Sequence, residues 1–420
     1  MKKLLALMGL VVALTLTGCS SDSSEEVVIE QPEQTGEFAD IPLTTRQLEQ
    51  VPVLNSFALK LARQMSVEDK SFVVSPLSVA FVLGMLNEGA EGDTQAEIAR
   101  TLGLGNASRE EVNALMAALK DYTQQADPSV TMAYASNVTL NSKKGYQLTG
   151  TYSEAMTKYY DASTMSYDFS KPEAVTAINS WSREHSRGLI PEIIDQLDEN
   201  DVMCLLNAIY FKGGWTKPFD KSHTRVGSFR RVTDSGEGLS INMMNETASA
   251  NYYEEERFQA LNLPIGNDTY SMTLVLPTKG TTVKSMLAAM EASELQQMPF
   301  TKEEVEMSIP IFKTATETNL IEQLSKLGIN KVFDRFSSEL TRMVTGTVYP
   351  LYVTMMKQKT QLGVNEEGTE GSAVTIGVLK DAMDINQPQR YVFNANRPFA
   401  YYISEKNSGA ILFMGVFAGE

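Results

Sequence analysis

Few side chains in this 420-residue sequence could serve as a nucleophile, a general base or a soft metal ligand. It holds two histidines, His185 and His223, and two cysteines, Cys19 and Cys204. A Ser-His-Asp hydrolase needs a histidine within hydrogen-bond reach of a serine. No Gly-x-Ser-x-Gly turn presents such a serine. His185 falls where a helical pattern ends, before Arg187 and Gly188. A cation is favoured at that end of a helix, so His185 reads as a surface residue. His223 sits in the polar run Lys221-Ser222-His223-Thr224. These scattered groups are too few for zinc. Glu254-Glu255-Glu256 reads as a solvated face, and Gly103-Leu104-Gly105 as a helix exit rather than a phosphate loop. The residues predict no enzyme, no cofactor and no metal site.

What remains is the chemistry of the chain's own peptide bonds. Residues 366–379 read Glu-Glu-Gly-Thr-Glu-Gly-Ser-Ala-Val-Thr-Ile-Gly-Val-Leu. They follow a strand-like segment, Leu362 to Asn365, and no proline intervenes before Pro388. Proline would delete a ladder hydrogen bond, so a place inside a sheet stays open to this segment. Alternate side chains of a strand share a face. The row Thr369, Gly371, Ala373, Thr375, Gly377, Leu379 is uncharged and mostly small, so it could lie on a core. Glu370 and Ser372 would then face outward. Such a composition is weak for a strand that forms early. It suits one that is exposed first and inserted later.

Glu366-Glu367-Gly368-Thr369-Glu370, followed by Gly371, Ser372 and Ala373, resembles the proximal hinge of the serpin reactive-centre loop. Three further blocks resemble the same family, in family order. They are Phe72-Val73-Val74-Ser75-Pro76-Leu77-Ser78, Asn207 to Trp215, and the pair Phe393 to Phe399 and Gly409 to Gly415 near the C-terminus. The resemblance covers about Leu48 to Glu420. It implies an α+β serpin fold with three β-sheets, about eight or nine helices and an exposed reactive-centre loop at about 366–390. It also implies irreversible suicide-substrate inhibition of serine proteases. The loop is cleaved, an acyl-enzyme forms, and the loop inserts into the main sheet. Family spacing puts the reactive bond at Ala382–Met383. A small apolar residue before the bond suits an elastase-like or subtilisin-like pocket. Lys380–Asp381 would suit a trypsin-like enzyme, although Asp after the cut is disfavoured, and cysteine proteases stay open as targets. By the same resemblance Ser75, Ser78, Asn207 and Gln358 match the shutter beneath the central strands, and Trp215 the point of first insertion. Gln358 and Arg397 stand where the family often has histidines, Ala400 is smaller than usual, and the usual terminal proline is missing. The alternative reading is a non-inhibitory serpin-fold binding protein that a protease merely cuts.

The N-terminus reads as a targeting segment. Lys2-Lys3 precedes an apolar stretch, Leu4 to Leu16, too short to span a membrane comfortably. Leu16-Thr17-Gly18-Cys19 resembles a bacterial lipobox. Residues 1–18 are then a lipoprotein signal peptide and Cys19 the acylated first residue. Ser, not Asp, follows Cys19, which argues against inner-membrane retention. The nearby acids Asp22, Glu25 and Glu26 resemble a surface-export signal, so an extracytoplasmic outer-membrane lipoprotein is expected. More than one acyl chain gives stable attachment. Residues 19–44 carry seven acids and no base and read as a disordered tether to a domain at 45–420. With Cys19 lipidated, Cys204 has no partner for a disulfide and reads as an inert core thiol. The net charge of −16 disfavours nucleic acid. The expected partners of a monomer are proteases, with the membrane touched only through the anchor.

These sites must be held by elements the pattern also predicts. Helices are expected at Asn55–Gln64, from Pro76 through Leu77–Leu86, at Thr94–Thr101, at Ser108–Tyr122 behind a Ser108/Glu111 capping box, at Pro172–His185 and at Thr318–Lys326. Strands are expected at Val130–Leu140, at Thr269–Pro277 and through the last 28 residues, and strands with turns over 226–253 and at Phe258–Pro264. Cys204–Phe211 is continuously apolar, as for a strand buried on both faces. Helices gather in the first half and strands in the second, the α+β order.

Overall fold

Helix formation starts earlier than the apolar spacing predicts. In the computed structural model α1 runs Thr45–Met65, opened by Thr44, whose side chain accepts from Gln47 N while the Gln47 side chain caps Thr44 N. Pro52 lies inside α1. A proline normally marks a boundary. The capping box and the buried Val51 and Leu54 carry the helix across. α2 (Pro76–Gly89) starts at the predicted place, with Ser75 as N-cap and Pro76 at its first position. All its residues are buried. α3 (Gly92–Leu102), α4 (Arg109–Gln125, with the Ser108/Glu111 box), α5 (Gly150–Ala155), α6 (Pro172–His185), α7 (Val283–Ala289), α8 (Ala292–Gln297) and α9 (Ile321–Lys326) complete nine α-helices among the described residues. These residues are 43–185, 188, 191–233, 238–346, 350–369 and 390–419. Packing divides the chain into units 1–37 and 38–420, and every described residue belongs to the second. Cys19, Glu370, Gly371, Ser372, Ala373, Ala382 and Met383 lie outside the described residues.

The strands are β1 (Phe72–Val74), β2 (Thr131–Asn141), β3 (Gln147–Leu148), β4 (Ser163–Tyr167), β5 (Met203–Gly214), β6 (Arg225–Phe229), β7 (Leu239–Glu254), β8 (Phe258–Ile265) and β9 (Tyr270–Pro277) in the first part. β10 (Thr301–Pro310), β11 (Phe312–Asn319), β12 (Val344–Thr345), β13 (Met355–Asn365), β14 (Gly368–Thr369), β15 (Arg390–Asn394), β16 (Phe399–Glu405) and β17 (Ile411–Phe417) follow. β11 takes the first two residues of the helix predicted at 318. Its alternating pattern buries Phe312 and Thr314, and Thr318 pairs with Gln358, so the helical turn waits until Ile321.

Three sheets result among the described residues. One has nine strands, ordered β1-β17-β16-β9-β8-β7-β10-β15 with β6 also on β7. A second has six, ordered β11-β13-β14-β5-β2-β4, and β12 pairs β3 in a short ribbon. The main core fills the space around α2 between the inner face of the six-stranded sheet and the nine-stranded sheet. A satellite core lies between α6 and the outer face of the six-stranded sheet, built on Ile178, Trp181, Ile193, Ile194, Cys204 and Leu206. β5 serves both. Met203, Leu205, Ile209 and Phe211 face the main core, Cys204 and Leu206 the satellite. The two-sided burial read from its apolar run is therefore real.

Candidate functional site

The site is the seam between β13 and β5. At one end the two strands pair directly and in parallel, from Met355 opposite Cys204 to Lys359 opposite Ala208. At the other end they part, and β14 lies between them, antiparallel to both. Glu366, Glu367, Gly368 and Thr369 make this wedge, so the start of the segment read as held in reserve is already in the sheet.

A tight turn returns the chain from β13. The Asn365 side-chain oxygen accepts from Glu367 N at 2.9 Å and Gly368 N at 3.2 Å. Gly368 has φ +147°, and a Cβ there would press into the Gly213 carbonyl, the Gly214 Cα and the Trp215 nitrogen. Only glycine tolerates both conditions. Thr369 follows at 0 % exposure. Its hydroxyl donates to Gly213 O at 3.0 Å and accepts from Gly213 N at 3.1 Å. One small side chain so meets both backbone groups of the glycine opposite it.

The strand-exit side of β5 holds the two glutamates. Phe219 N donates to Glu366 O and Trp215 N to Glu367 O, each at 2.9 Å. Thr224 Oγ1 donates to the Glu366 carboxylate at 2.7 Å, and Lys221 Nζ meets Glu367 at 2.5 Å. The hydrogen bond to Glu367 raises the Lys221 ammonium above its ordinary value. Trp215 is buried beneath the wedge. Its indole donates to Asn365 O at 2.8 Å, and its ring meets Phe219 edge-on. Lys221, Thr224 and Asn365 escaped the sequence reading. Lys221 and Thr224 carried only the signal of a polar loop, and nothing in the sequence joins them to residues 145 or so positions away.

Beneath the closed end lie Ser75, Ser78, Asn207 and Gln358, all buried. The structure brings these four together. Gln358 Oε1 accepts from Ser75 N and its Nε2 donates to Ser75 O, both at 3.1 Å. An amide that both donates and accepts can make this paired bond. Ser75 Oγ accepts from Ser78 N and donates to Leu412 O at 2.6 Å, tying α2 to β17. Asn207 Nδ2 donates to Ser136 Oγ on β2 at 3.0 Å. Asn207 Oδ1 and Ser78 Oγ are buried without a partner. Arg397 lies elsewhere, its guanidinium donating twice to Pro277 O.

Twenty residues, 370–389, join Thr369 to β15, and β15 lies parallel to β10 in the other large sheet. Both ends of this segment are thus fixed in different sheets. A family model described as Serpin (serine protease inhibitor) matches residues 52–419. The chain belongs to the serpin family. It is 30 % identical to chicken (Gallus gallus) neuroserpin over 83 % of this chain and 86 % of that one. It is 28 % identical to the leukocyte elastase inhibitor of the horse, Equus caballus, over 88 % of this chain and the whole of the relative. The native structure of tengpin, a thermophilic serpin, superposes with a TM-score of 0.80 at 22 % identity, over 90 % of this chain and 95 % of that one. The serpin fold expected from the sequence, with three sheets and about eight or nine helices, is the fold observed, with nine α-helices among the described residues.

The histidines take no part in this serpin's seam. His185 ends α6, with Nδ1 2.9 Å from Trp181 O and its ring against the Trp181 ring. His223 Nδ1 lies 3.5 Å from Glu246. Cys204 lies in the satellite core with its sulfur 3.5 Å from Met355 Sδ, and burial pushes its thiol up to about 12.

Proposed function

We propose that this serpin is an irreversible suicide-substrate inhibitor of serine proteases, of the elastase-like or subtilisin-like kind, with Ala382–Met383 as the reactive bond. The protease serine attacks the Ala382 carbonyl. The Ala382–Met383 bond breaks, the Met383 amine leaves with a proton from the protease, and Ala382 stays as an ester on the serine. The freed strand then extends β14 down the seam and carries the tethered enzyme away, which distorts its active site before water completes hydrolysis. The observation that carries this reading is the seated hinge. Gly368 and Thr369 already pair with β5 and β13, so insertion needs only propagation of an existing strand. The leukocyte elastase inhibitor among the relatives agrees with a small residue before the bond. On the same footing we place Cys19 under lipid, with residues 20–44 as a tether on the outer membrane. Mass spectrometry of Cys19, and release of a Cys19→Ser protein from membranes, test that part.

The inhibitor is tested by mixing residues 20–420 with pancreatic elastase and with a subtilisin, then running denaturing gels and intact mass spectrometry. The expected result is a denaturant-stable adduct and a released fragment that begins at Met383. Complete cleavage with no adduct and undiminished protease activity would instead make it a serpin-fold binding protein that is only a substrate.

A further inference from the structure

The turn that follows β5 is fastened to both large sheets. It runs from Phe219 to Thr224 around a short 3-10 stretch, Lys221–His223. Its own bonds close it, from His223 N to Asp220 O and from Thr224 N to Lys221 O. On one side Lys221 and Thr224 hold the carboxylates of Glu367 and Glu366, and Phe219 N holds the Glu366 carbonyl. On the other side Asn245 Nδ2 of β7 donates to His223 O at 3.0 Å, and His223 Nδ1 lies 3.5 Å from Glu246 Oε2. The wedge belongs to the six-stranded sheet and β7 to the nine-stranded one. His223 does not itself touch the seam, but its close neighbours in the turn do.

One member of this bracket belongs to a residue type that changes charge near neutrality. Imidazole ordinarily does so between about pH 5 and 8. A neutral ring carries one N–H, so Nδ1 meets Glu246 either as a donor or with a bare lone pair. A protonated ring can only donate. A groove of about 300 Å³ opens beside His223, with Glu246 of β7 and Glu306 of β10 in its lining. β15 brings only the uncharged Val392 and Asn394 to it. Asp220 and Lys221 share the turn with His223, and Lys221 is engaged by Glu367. Arg225 opens β6 and donates to Ser222 O and Thr224 O. The two carboxylates of the groove are therefore what a charged ring would meet.

The tie is modest in itself. The His223 and Glu246 side chains are 52 % and 29 % exposed, and pairs so close to water contribute little. Its leverage comes from position. The turn is stiffened by its internal bonds, so a restraint on His223 is felt at Lys221 and Thr224, which grip the hinge glutamates.

We propose that His223 is a proton-operated latch on the hinge. With the imidazole charged, its bond to Glu246 ties the turn to β7, and the turn holds Glu366 and Glu367 more firmly. With the imidazole neutral the tie loosens and the wedge leaves the sheet more readily. The added stability belongs to the charged form, so it is present on the acid side and is lost as pH rises through the histidine range. The inference concerns the seated wedge and stands whether or not the chain traps proteases.

The test is hydrogen exchange at the Trp215 and Phe219 amides, which donate to Glu367 O and Glu366 O and are freed when the wedge leaves. Wild type is compared with His223→Gln at about pH 5.5 and about pH 8. Comparing the two proteins at one pH cancels the intrinsic pH dependence of exchange. Wild type should exchange about two- to fivefold more slowly than His223→Gln at the lower pH and at the same rate at the higher one. His223→Lys, a permanent cation, should keep slow exchange at both. A ratio of wild type to His223→Gln that is the same at both pH values overturns the inference. So does a pH-dependent ratio that persists on a Glu246→Gln background, because the carboxylate would then not be the receptor of the charge.

Discussion

The two halves of the β13–β5 seam hold their strands by opposite means. At the hinge end a short guest strand fills the gap, and the backbone groups around Gly213, Gly214 and Trp215 are paired with it. At the closed end the strands pair with each other, and Gln358 borrows its bonds from the Ser75 backbone below. There Asn207 Oδ1 and Ser78 Oγ stay unpaired. An orphaned buried polar atom costs about 1–3 kcal/mol. Two buried side-chain atoms without a partner thus lie at the closed half. On the insertion mechanism proposed above, the docked half would supply the nucleus from which a strand grows.

Cys204 gives the largest contrast between native and opened states. It faces Met355 across the closed half, under Ile193 and Ile194. Its thiol is pushed up to about 12 by burial. The thiolate at pH 8 is then scarcer than for an ordinary thiol by roughly 100-fold or more, and steric protection adds to that. In a Cys19→Ser protein, iodoacetamide should therefore react at least about 100-fold more slowly in the native state than in guanidinium. Because folding raises this pKa, the preference for the folded state is constant below the ordinary thiol value and declines as pH climbs above it. Native alkylation at the unfolded rate would mean that the closed half is open at rest.

Thr369→Arg attacks the docked half. A guanidinium cannot be solvated at a site with no exposure, and an uncompensated buried charge costs several kcal/mol. The hinge should leave the sheet and insertion lose its nucleus. We expect adduct formation with elastase to fall at least about 100-fold while loop cleavage persists, since 2.7 kcal/mol corresponds to about that factor. Trp215, which donates to Asn365 beneath the wedge, should change its fluorescence, with Trp181 as constant background. Undiminished adduct in Thr369→Arg would detach inhibition from strand insertion.

Ser75→Phe attacks the closed half from below. Ser75 is fully buried and links Gln358, Ser78 and Leu412. Overpacking a well-filled core costs about 1–3 kcal/mol, and the bond to Leu412 is lost as well. β13 should be pushed from β5, so that the seam accepts its own loop, or a loop from a second molecule, without cleavage. Native gels and gel filtration after warming should show ladders or a stabilised monomer. Normal monomer alone, with wild-type stability, would mean that this site does not control the seam.

How much of this was legible beforehand follows from range. α2 with its Ser75 cap, the two-faced strand β5 and the inward parity of Thr369 were readable because each rests on local periodicity or a local cap. The family blocks named the shutter residues, but not their bonds. The Gln358 amide paired with the Ser75 backbone spans 283 residues of chain. Nothing local announces it. The first turns of α1 lie outside the apolar spacing that marks Asn55–Gln64, and the Thr44 capping box and the burial of Val51 and Leu54 extend the helix there. Early docking of Gly368 and Thr369 was invisible too. Their small size predicts that they can enter a sheet, and only the tertiary partners Gly213, Lys221 and Thr224 decide that they already have.

Lys221→Ala should have the smallest effect, and that makes it informative. The Lys221–Glu367 pair is short, but the ammonium is largely in water, and such pairs contribute little once side-chain entropy and salt screening are counted. The wedge is held mainly by Thr369, the Gly368 turn and the backbone bonds to Trp215 and Phe219. Removing the lysine should alter the inhibition rate by no more than about threefold, and less at high salt. The pH dependence follows from the same bond. Glu367 raises the Lys221 pKa, so the contribution is complete below the ordinary lysine value and fades only as pH rises through the raised one. Between pH 6 and 9 the wild type and Lys221→Ala should therefore keep a constant ratio of inhibition rates. A tenfold or larger loss in Lys221→Ala would move the hold on the hinge from the buried hydroxyl to the surface charge, and would reverse the account of the docked half given above.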